Sequence, residues 1–175
     1  MIKEDTLALD TRREIYNLIL THPGLHEREI ARKLKMSLST LDYHLHYLEK
    51  RGIIVSKKDG RYTRYFVSRK IGAKDKRTIS LLRQKTPRSI VLFLLLNPKV
   101  LHKEICDEIK KSPSTISFHL KKLIDAGIVD AISIGRGTAY EVKNAEQIVD
   151  ILITYKSTFL DDAVDKFIET WSSLG

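Results

Sequence analysis

A chain of 175 residues, 42% hydrophobic and 30% charged, suits one large or two small globular domains. Its single cysteine, Cys106, excludes an internal disulfide and any multi-thiolate metal site, and no apolar run approaches the roughly 18 residues a membrane span needs. The formal net charge of +9 is uneven, because residues 1–85 carry 20 Lys/Arg against 10 Asp/Glu and residues 86–175 carry 11 against 12. A half this basic calls for a polyanionic partner, unless it is only a solvated surface. The polar, acidic start MIKEDTLALD lacks the pattern of a secretory leader, so a reducing cytoplasm is the expected setting.

In chain order, Ile15, Leu18 and Ile19 form the apolar face of a first helix. His22-Pro23-Gly24 is a turn signal. Residues 27–35 place Ile30 and Leu34 at helical spacing and predict a short second helix. Ser37 reads as an N-cap whose hydroxyl takes a free backbone N–H. A third helix follows, with Leu41, Leu45 and Leu48 inward, and Gly52 stops it. Residues 53–55, a polar turn around Gly60, and residues 65–67 predict a β-hairpin.

The unit then recurs. Shifted by 75, residues 11–67 lie on residues 86–142 without a gap, and 21 of the 57 positions are identical. The matches include Ser37/Ser112, Ser39/Ser114, Thr40/Thr115, His44/His119, Leu48/Leu123, Gly52/Gly127 and Gly60/Gly135. In the second copy Pro113 follows the cap, where proline suits the first helical position. The predicted fold class is mainly α with small β-wings: two tandem winged helix-turn-helix domains plus a C-terminal helical segment. The expected boundaries are domain 1 at 1–67, a partly helical linker at 68–85, domain 2 at 86–142, and a C-terminal helix at 143–175.

The stretches SLSTLDYHLHYLEKRGII and SPSTISFHLKKLIDAGIV resemble the recognition-helix signature of ArsR- and MarR-type transcriptional regulators. The resemblance covers both repeats, and the tandem arrangement is similar to regulators common in archaea. It implies a DNA-binding transcriptional regulator that places each third helix in the major groove of double-stranded DNA. Such a helix needs an apolar inner face and short or reaching polar groups outside. The candidate contacts in repeat 1 are Ser39, Thr40, Tyr43 and His46, and in repeat 2 Ser114, Thr115, Ser117, Phe118 and Lys121. The serines and threonines suit phosphate or base edges, with local capping as their alternative role. Tyr43 and Phe118 are aromatics repeated at one outward position and suit a thymine methyl or sugar. Asp42 is expected to pair with a nearby Arg or Lys.

The two wings differ. The first carries Lys57, Lys58, Arg61 and Arg64 around its turn, a candidate contact for the DNA backbone or a narrow minor groove; the second carries only Arg136. His44 and His119 sit at the edge of the apolar stripe and read as scaffold rather than ligands. His22 and His26 have only Glu27 nearby, so no metal or other cofactor is expected, and Cys106 reads as a small packed residue. No nucleophile–base set or Gly-rich phosphate loop suggests an enzyme. The tail from residue 143, with 3 Lys and 6 Asp/Glu, is helical in period over about 30 residues. It is expected to join two copies as a homodimer; the alternative is that it folds back over the second domain, with Asp161-Asp162 marking a break. Competing functions are an architectural, nucleoid-associated protein of low sequence specificity and, for the second domain, a protein-interaction platform. The sequence names no effector.

Overall fold

A computed structural model of the protein describes residues 2–175, with side chains from Ala8 onward. The chain forms two compact units, Met1–Lys76 and Arg77–Gly175. Unit 1 runs α1 (Ile2–Thr21), α2 (Glu27–Leu34), α3 (Leu38–Lys50), β1 (Ile54–Asp59) and β2 (Tyr62–Val67). Ile15 and Ile19 from α1, Ile30 from α2, and Leu41, Leu45 and Leu48 from α3 meet Leu25, Ile54 and Val67 in one core. The helix α2 begins with a device the sequence reading did not anticipate. The His26 backbone N–H donates to Glu29 Oε2 at 3.0 Å, and Glu29 N–H donates to His26 Nδ1 at 3.4 Å, which satisfies two of the free donors at a helix start. The hairpin pairs Ile54 with Val67 through to Asp59 with Tyr62. Gly60 turns it at φ +60°, a left-handed conformation in which a side chain is strained.

Helix α4 (Ala73–Leu82) crosses the division, and unit 2 continues with α5 (Lys85–Leu96), β3 (Val100–Leu101), α6 (His102–Ile109), α7 (Pro113–Asp125), β4 (Val129–Ile134) and β5 (Gly137–Val142). Its sheet has the order β3-β5-β4. The third strand has only a shorter counterpart in unit 1. In unit 1 the corresponding site is a single bridge between His26 and Arg64, whereas in unit 2 those positions are Leu101 and Ala139, which pair as strand residues.

The tail departs from the expected single long helix. It forms α8 (Ala145–Thr154), α9 (Lys156–Phe159) and α10 (Asp162–Leu174). The break has two causes. Leu160 adopts φ +46°, and Asp161, in extended backbone, starts α10 by accepting the Ala163 N–H at 3.0 Å. Val164 and Phe167 of α10 are buried, and the helix packs on α5 and α8 of its own unit. Burying two such side chains contributes roughly 1.5–3 kcal/mol each. The other oxygen of Asp161 accepts Arg88 Nε at 2.7 Å, and Arg88 Nη1 donates to the carbonyls of Leu82 and Arg83 at 3.0 Å. One carboxylate therefore caps α10 and ties it to α5. Burial pushes the Asp161 carboxyl up, but the Ala163 N–H, the Arg88 bond and charge, and Lys85 together hold it below its ordinary value of 3.8.

Asp161→Ala removes a cap and one partner of a largely buried ion pair, so it should destabilise unit 2 by about 3 kcal/mol, measured by urea unfolding followed at Trp171. Because the folded carboxyl titrates lower than the unfolded one, its contribution is present above pH ~4 and lost as pH falls through the depressed folded value. The variant should lack that acid-side loss.

Candidate nucleic-acid interface

The third helix of each unit is fixed at both ends by its sequence. Ser37 Oγ accepts the Thr40 N–H at 3.2 Å and donates to Thr40 Oγ1 at 2.8 Å. Ser112 accepts the Thr115 N–H at 3.2 Å, with the two hydroxyls again 2.8 Å apart. The Ser39 and Ser114 hydroxyls each lie 3.2 Å from the capping oxygen. The candidate contacts Ser39, Thr40, Ser114 and Thr115 thus all bond to the capping serines, while the start of each helix faces solvent. Gly52 and Gly127 follow the last turns at φ +70° and +73°, ending the helices as left-handed residues after the cap.

Between those limits each helix buries one stripe: Leu41, His44, Leu45 and Leu48 in α3, and Ile116, Leu120 and Leu123 in α7. The opposite stripe is solvent-facing. Tyr43 is 63% exposed and Phe118 56%, and His46, Ser117 and Lys121 are exposed with them. Each aromatic is steadied edge-on by the next residue, Tyr43 on His44 at 5.3 Å and Phe118 on His119 at 5.2 Å. Lys122 Nζ lies 4.5 Å from the Phe118 ring. The Ser117 hydroxyl sits 2.9 Å from His102 Nε2 of α6, whose Nδ1 is 3.5 Å from Cys106 Sγ. Asp42 is exposed and makes no ion pair among the described residues, contrary to expectation.

The two histidines are set into the helix flank. Burial, and then the Arg12 charge, lowers the His44 pKa; burial, and then Lys122, lowers that of His119. Nδ1 of each is shielded and meets no hydrogen-bond partner. Both rings are packed into the helix flank, where burial disfavours their charged form.

Wing 1 requires one correction. Arg64 is 5% exposed and is not part of the basic tip. Its Nε donates to Asp59 Oδ2 at 2.7 Å and its Nη1 to the Gly24 carbonyl at 2.9 Å. The charge is thereby spent inside the unit, holding the hairpin to the α1–α2 loop. Tyr62 stacks on His26 with ring centroids 4.4 Å apart and planes 11° apart, closing the same joint. Lys58 and Arg61 are exposed and Lys57 is half-buried, and none of the three forms an ion pair among the described residues. Wing 2 exposes Arg136 at its tip. The clamp had a readable signal in the repeat itself: Asp59 and Arg64 are both charged, and their counterparts Ile134 and Ala139 are both apolar.

Residues 9–79 match a family model described as an N-terminal HTH domain, and residues 86–131 match one described as bacterial regulatory protein, arsR family. The chain carries two helix-turn-helix domains. It is 38% identical over 145 residues, 82% of its length, to an uncharacterised HTH-type transcriptional regulator of Methanocaldococcus jannaschii, and it spans only 36% of that relative. Among solved structures it is similar to an ArsR-like transcriptional regulator from Rhodococcus sp. RHA1, with 18% identity and a TM-score of 0.40 over 59% of this chain and 93% of the other. It is also similar to wild-type ZitR of Lactococcus lactis in complex with DNA, with 16% identity and a TM-score of 0.37 over 79% and 83%. Both helix-turn-helix units thus rest on capped third helices with an outward aromatic, and they differ in their wings. Among the described residues no helix is long and apolar enough to cross a membrane, and no group of three or more His, Cys, Asp or Glu side chains is placed to hold a metal ion.

Two outcomes follow from this geometry. Arg64→Met removes both the Asp59 ion pair and the bond to the Gly24 carbonyl and should destabilise unit 1 by about 3 kcal/mol, measured by hydrogen exchange of the Tyr65 and Val67 amides. For the histidines, the unfolded state binds protons more readily, so their stabilisation is full above pH ~6.5 and falls as pH drops towards their lowered folded values. His44→Leu with His119→Leu should therefore flatten the change in urea midpoint between pH 7.5 and 5.

Proposed function

We propose that the chain is a transcriptional regulator that binds double-stranded DNA, with the outward stripes of α3 and α7 in the major groove and the tip of wing 1 on the backbone or in the minor groove. The observation that carries this reading is the doubled exposed stripe. Two capped helices each leave a large aromatic in water at the same position, where an isolated globular domain gains nothing from it. Those rings, with the hydroxyls at each helix start and His46 or Lys121 a turn further on, supply apolar and hydrogen-bonding groups of the kind that read base edges. The unpaired Lys57, Lys58 and Arg61 supply the counter-charge for phosphates, and the arsR-family match over residues 86–131 and the regulator name of the 38% identical relative point the same way. The contact set is Ser39, Thr40, Tyr43, His46, Lys57, Lys58 and Arg61 in unit 1, and Ser114, Thr115, Ser117, Phe118, Lys121 and Arg136 in unit 2. Homodimerisation belongs to the proposal as well, supported by the exposed Ile153, Leu160 and Leu174 of the tail; its measurement is the mass in solution by analytical ultracentrifugation.

Unit 2 favours a second reading. Its wing carries one cation and exposes Leu101 and Ile134, so this unit also suits a protein partner. A footprint on one genomic operator, absent from random duplexes of equal length, supports the regulator; equal affinity for all duplexes replaces it with the architectural role. Changing Lys57, Lys58 and Arg61 to Gln together should reduce the dependence of log affinity on log salt by about 2 to 3, and Arg136→Gln by no more than about 1. Fluorescence anisotropy of a labelled duplex across a salt series reads both slopes. An unchanged slope in the triple variant removes wing 1 from the interface.

A further inference from the structure

On the flank of α3 that faces α1, unit 1 holds a concavity of about 350 Å³. Leu9, Tyr16, Leu48 and Ile53 line it with apolar surface, and Arg12, Arg13 and Arg51 bring three guanidinium groups to it. Two of these cations share one ring: Arg12 lies 3.5 Å and Arg51 4.6 Å from the Tyr47 centroid. Each contact is favourable by itself, but two like charges on one ring repel. No carboxylate among the described residues pairs with Arg12, Arg13 or Arg51. Nε of Arg12 is in addition shielded from solvent and meets no acceptor, which is costly for a charged donor.

The second repeat offers an internal comparison. The counterpart of Arg13 is Arg88, and there a carboxylate is present: Asp161, 2.7 Å from Nε. The repeat keeps the apolar Leu48 and Ile53 as Leu123 and Ile128, but Arg12, Tyr16, Tyr47 and Arg51 are replaced by Pro87, Val91, Lys122 and Ala126. One repeat satisfies the arginine of its first helix from its own tail. The other surrounds the equivalent arginine with two more cations and an apolar floor.

We propose that this concavity binds a small amphipathic carboxylate, its head taken by the guanidinium groups of Arg12 and Arg51 beside Tyr47 and its short apolar body lying on Leu9, Tyr16, Leu48 and Ile53. The volume is at the lower end of the range for small-molecule sites, which suits a medium-chain acid rather than a long-chain one. Arginine suits the head because its fork matches a carboxylate in two parallel hydrogen bonds. Tyr47 and Leu48 belong to the helix that carries Tyr43 one turn earlier, and Arg51 caps its end, so the bound acid touches the element on which the outward stripe is built. The site stands independently of whether that stripe binds DNA.

The test is a titration of the full ¹⁵N-labelled chain with octanoate, followed at the arginine Nε–H resonances. Octanol, which has the body without the charge, and inorganic phosphate, which has the charge without the body, are run alongside. Octanoate should saturate one site and shift Arg12 and Arg51, with both comparison probes weaker by about tenfold or more. Arg12→Gln and Arg51→Gln should each weaken octanoate by about tenfold or more, and Lys58→Gln on the wing should leave it unchanged. Octanol as tight as octanoate would reduce the site to a greasy groove. Phosphate as tight as octanoate would make it a bare phosphate contact, and absence of saturation, or wild-type affinity in both arginine variants, overturns the proposal outright. If Arg12→Gln fails to fold, Arg51→Gln and the probe comparison on the unaltered chain still decide.

Discussion

A short helix in a small domain can bury only one of its sides, and the rest of this structure depends on that. The helices α3 and α7 each span thirteen residues and give their core Leu41 or Ile116, Leu45 or Leu120, and Leu48 or Leu123. Everything on the far side is left to water whatever its chemistry. Capping fixes where that side begins and a left-handed glycine fixes where it stops, so the length and rotational setting of the stripe are determined before any partner is considered. The two copies follow this division of labour. Their inner stripes differ by one branched aliphatic exchange, while their outer stripes replace Asp42, His46 and Tyr47 with Ser117, Lys121 and Lys122.

The same division explains why charge alone is a poor guide to the interface. Basic residues near the first wing fall into two physical classes. Arg64 is consumed by Asp59 and the Gly24 carbonyl and contributes to holding the hairpin in place. Lys57, Lys58 and Arg61 form no ion pair among the described residues, so their field is not cancelled at the wing. In the second unit the joint is apolar and the tip holds a single cation. The basic excess of the first half of the chain is therefore partly scaffold and partly available surface.

Much of this was legible in the sequence because it is periodic or local. The repeat, the third helices with Ser37 and Ser112 as caps, the stops at Gly52 and Gly127, and the hairpins all rest on interactions a few residues apart. The scaffold role of His44 and His119 followed from their place at the stripe edge. What escaped depends on contacts distant in the chain. Arg64 meets Gly24 across 40 positions and Arg88 meets Asp161 across 73, and neither spacing leaves a periodic mark. In the tail the apolar period continues through residues 159–164 and Asp161-Asp162 is the local mark of a break; what leaves no mark is that Leu160 turns left-handed and that Asp161 finds its partner in α5. Asp42 was expected to find a cation by simple proximity of charges, but its place on the outer stripe keeps it clear of them. The site around Tyr47 was hidden for a similar reason: Arg12 and Arg51 are 39 residues apart in number and share a ring only once α1 lies against α3.

The joint beneath the first wing has a further consequence for how the two units have diverged. His26, Asp59, Tyr62 and Arg64 are matched in the second unit by Leu101, Ile134, Gly137 and Ala139, a polar set exchanged wholesale for an apolar one. A single exchange at the ion pair is costly: Arg64 without Asp59 is a buried cation left with the Gly24 carbonyl, and replacing Arg64 by alanine removes the tie to that carbonyl as well. The four positions therefore form one epistatic block. Intermediates between the two states cross a stability valley, and a chimera that grafts either wing onto the other unit must carry all four residues with it.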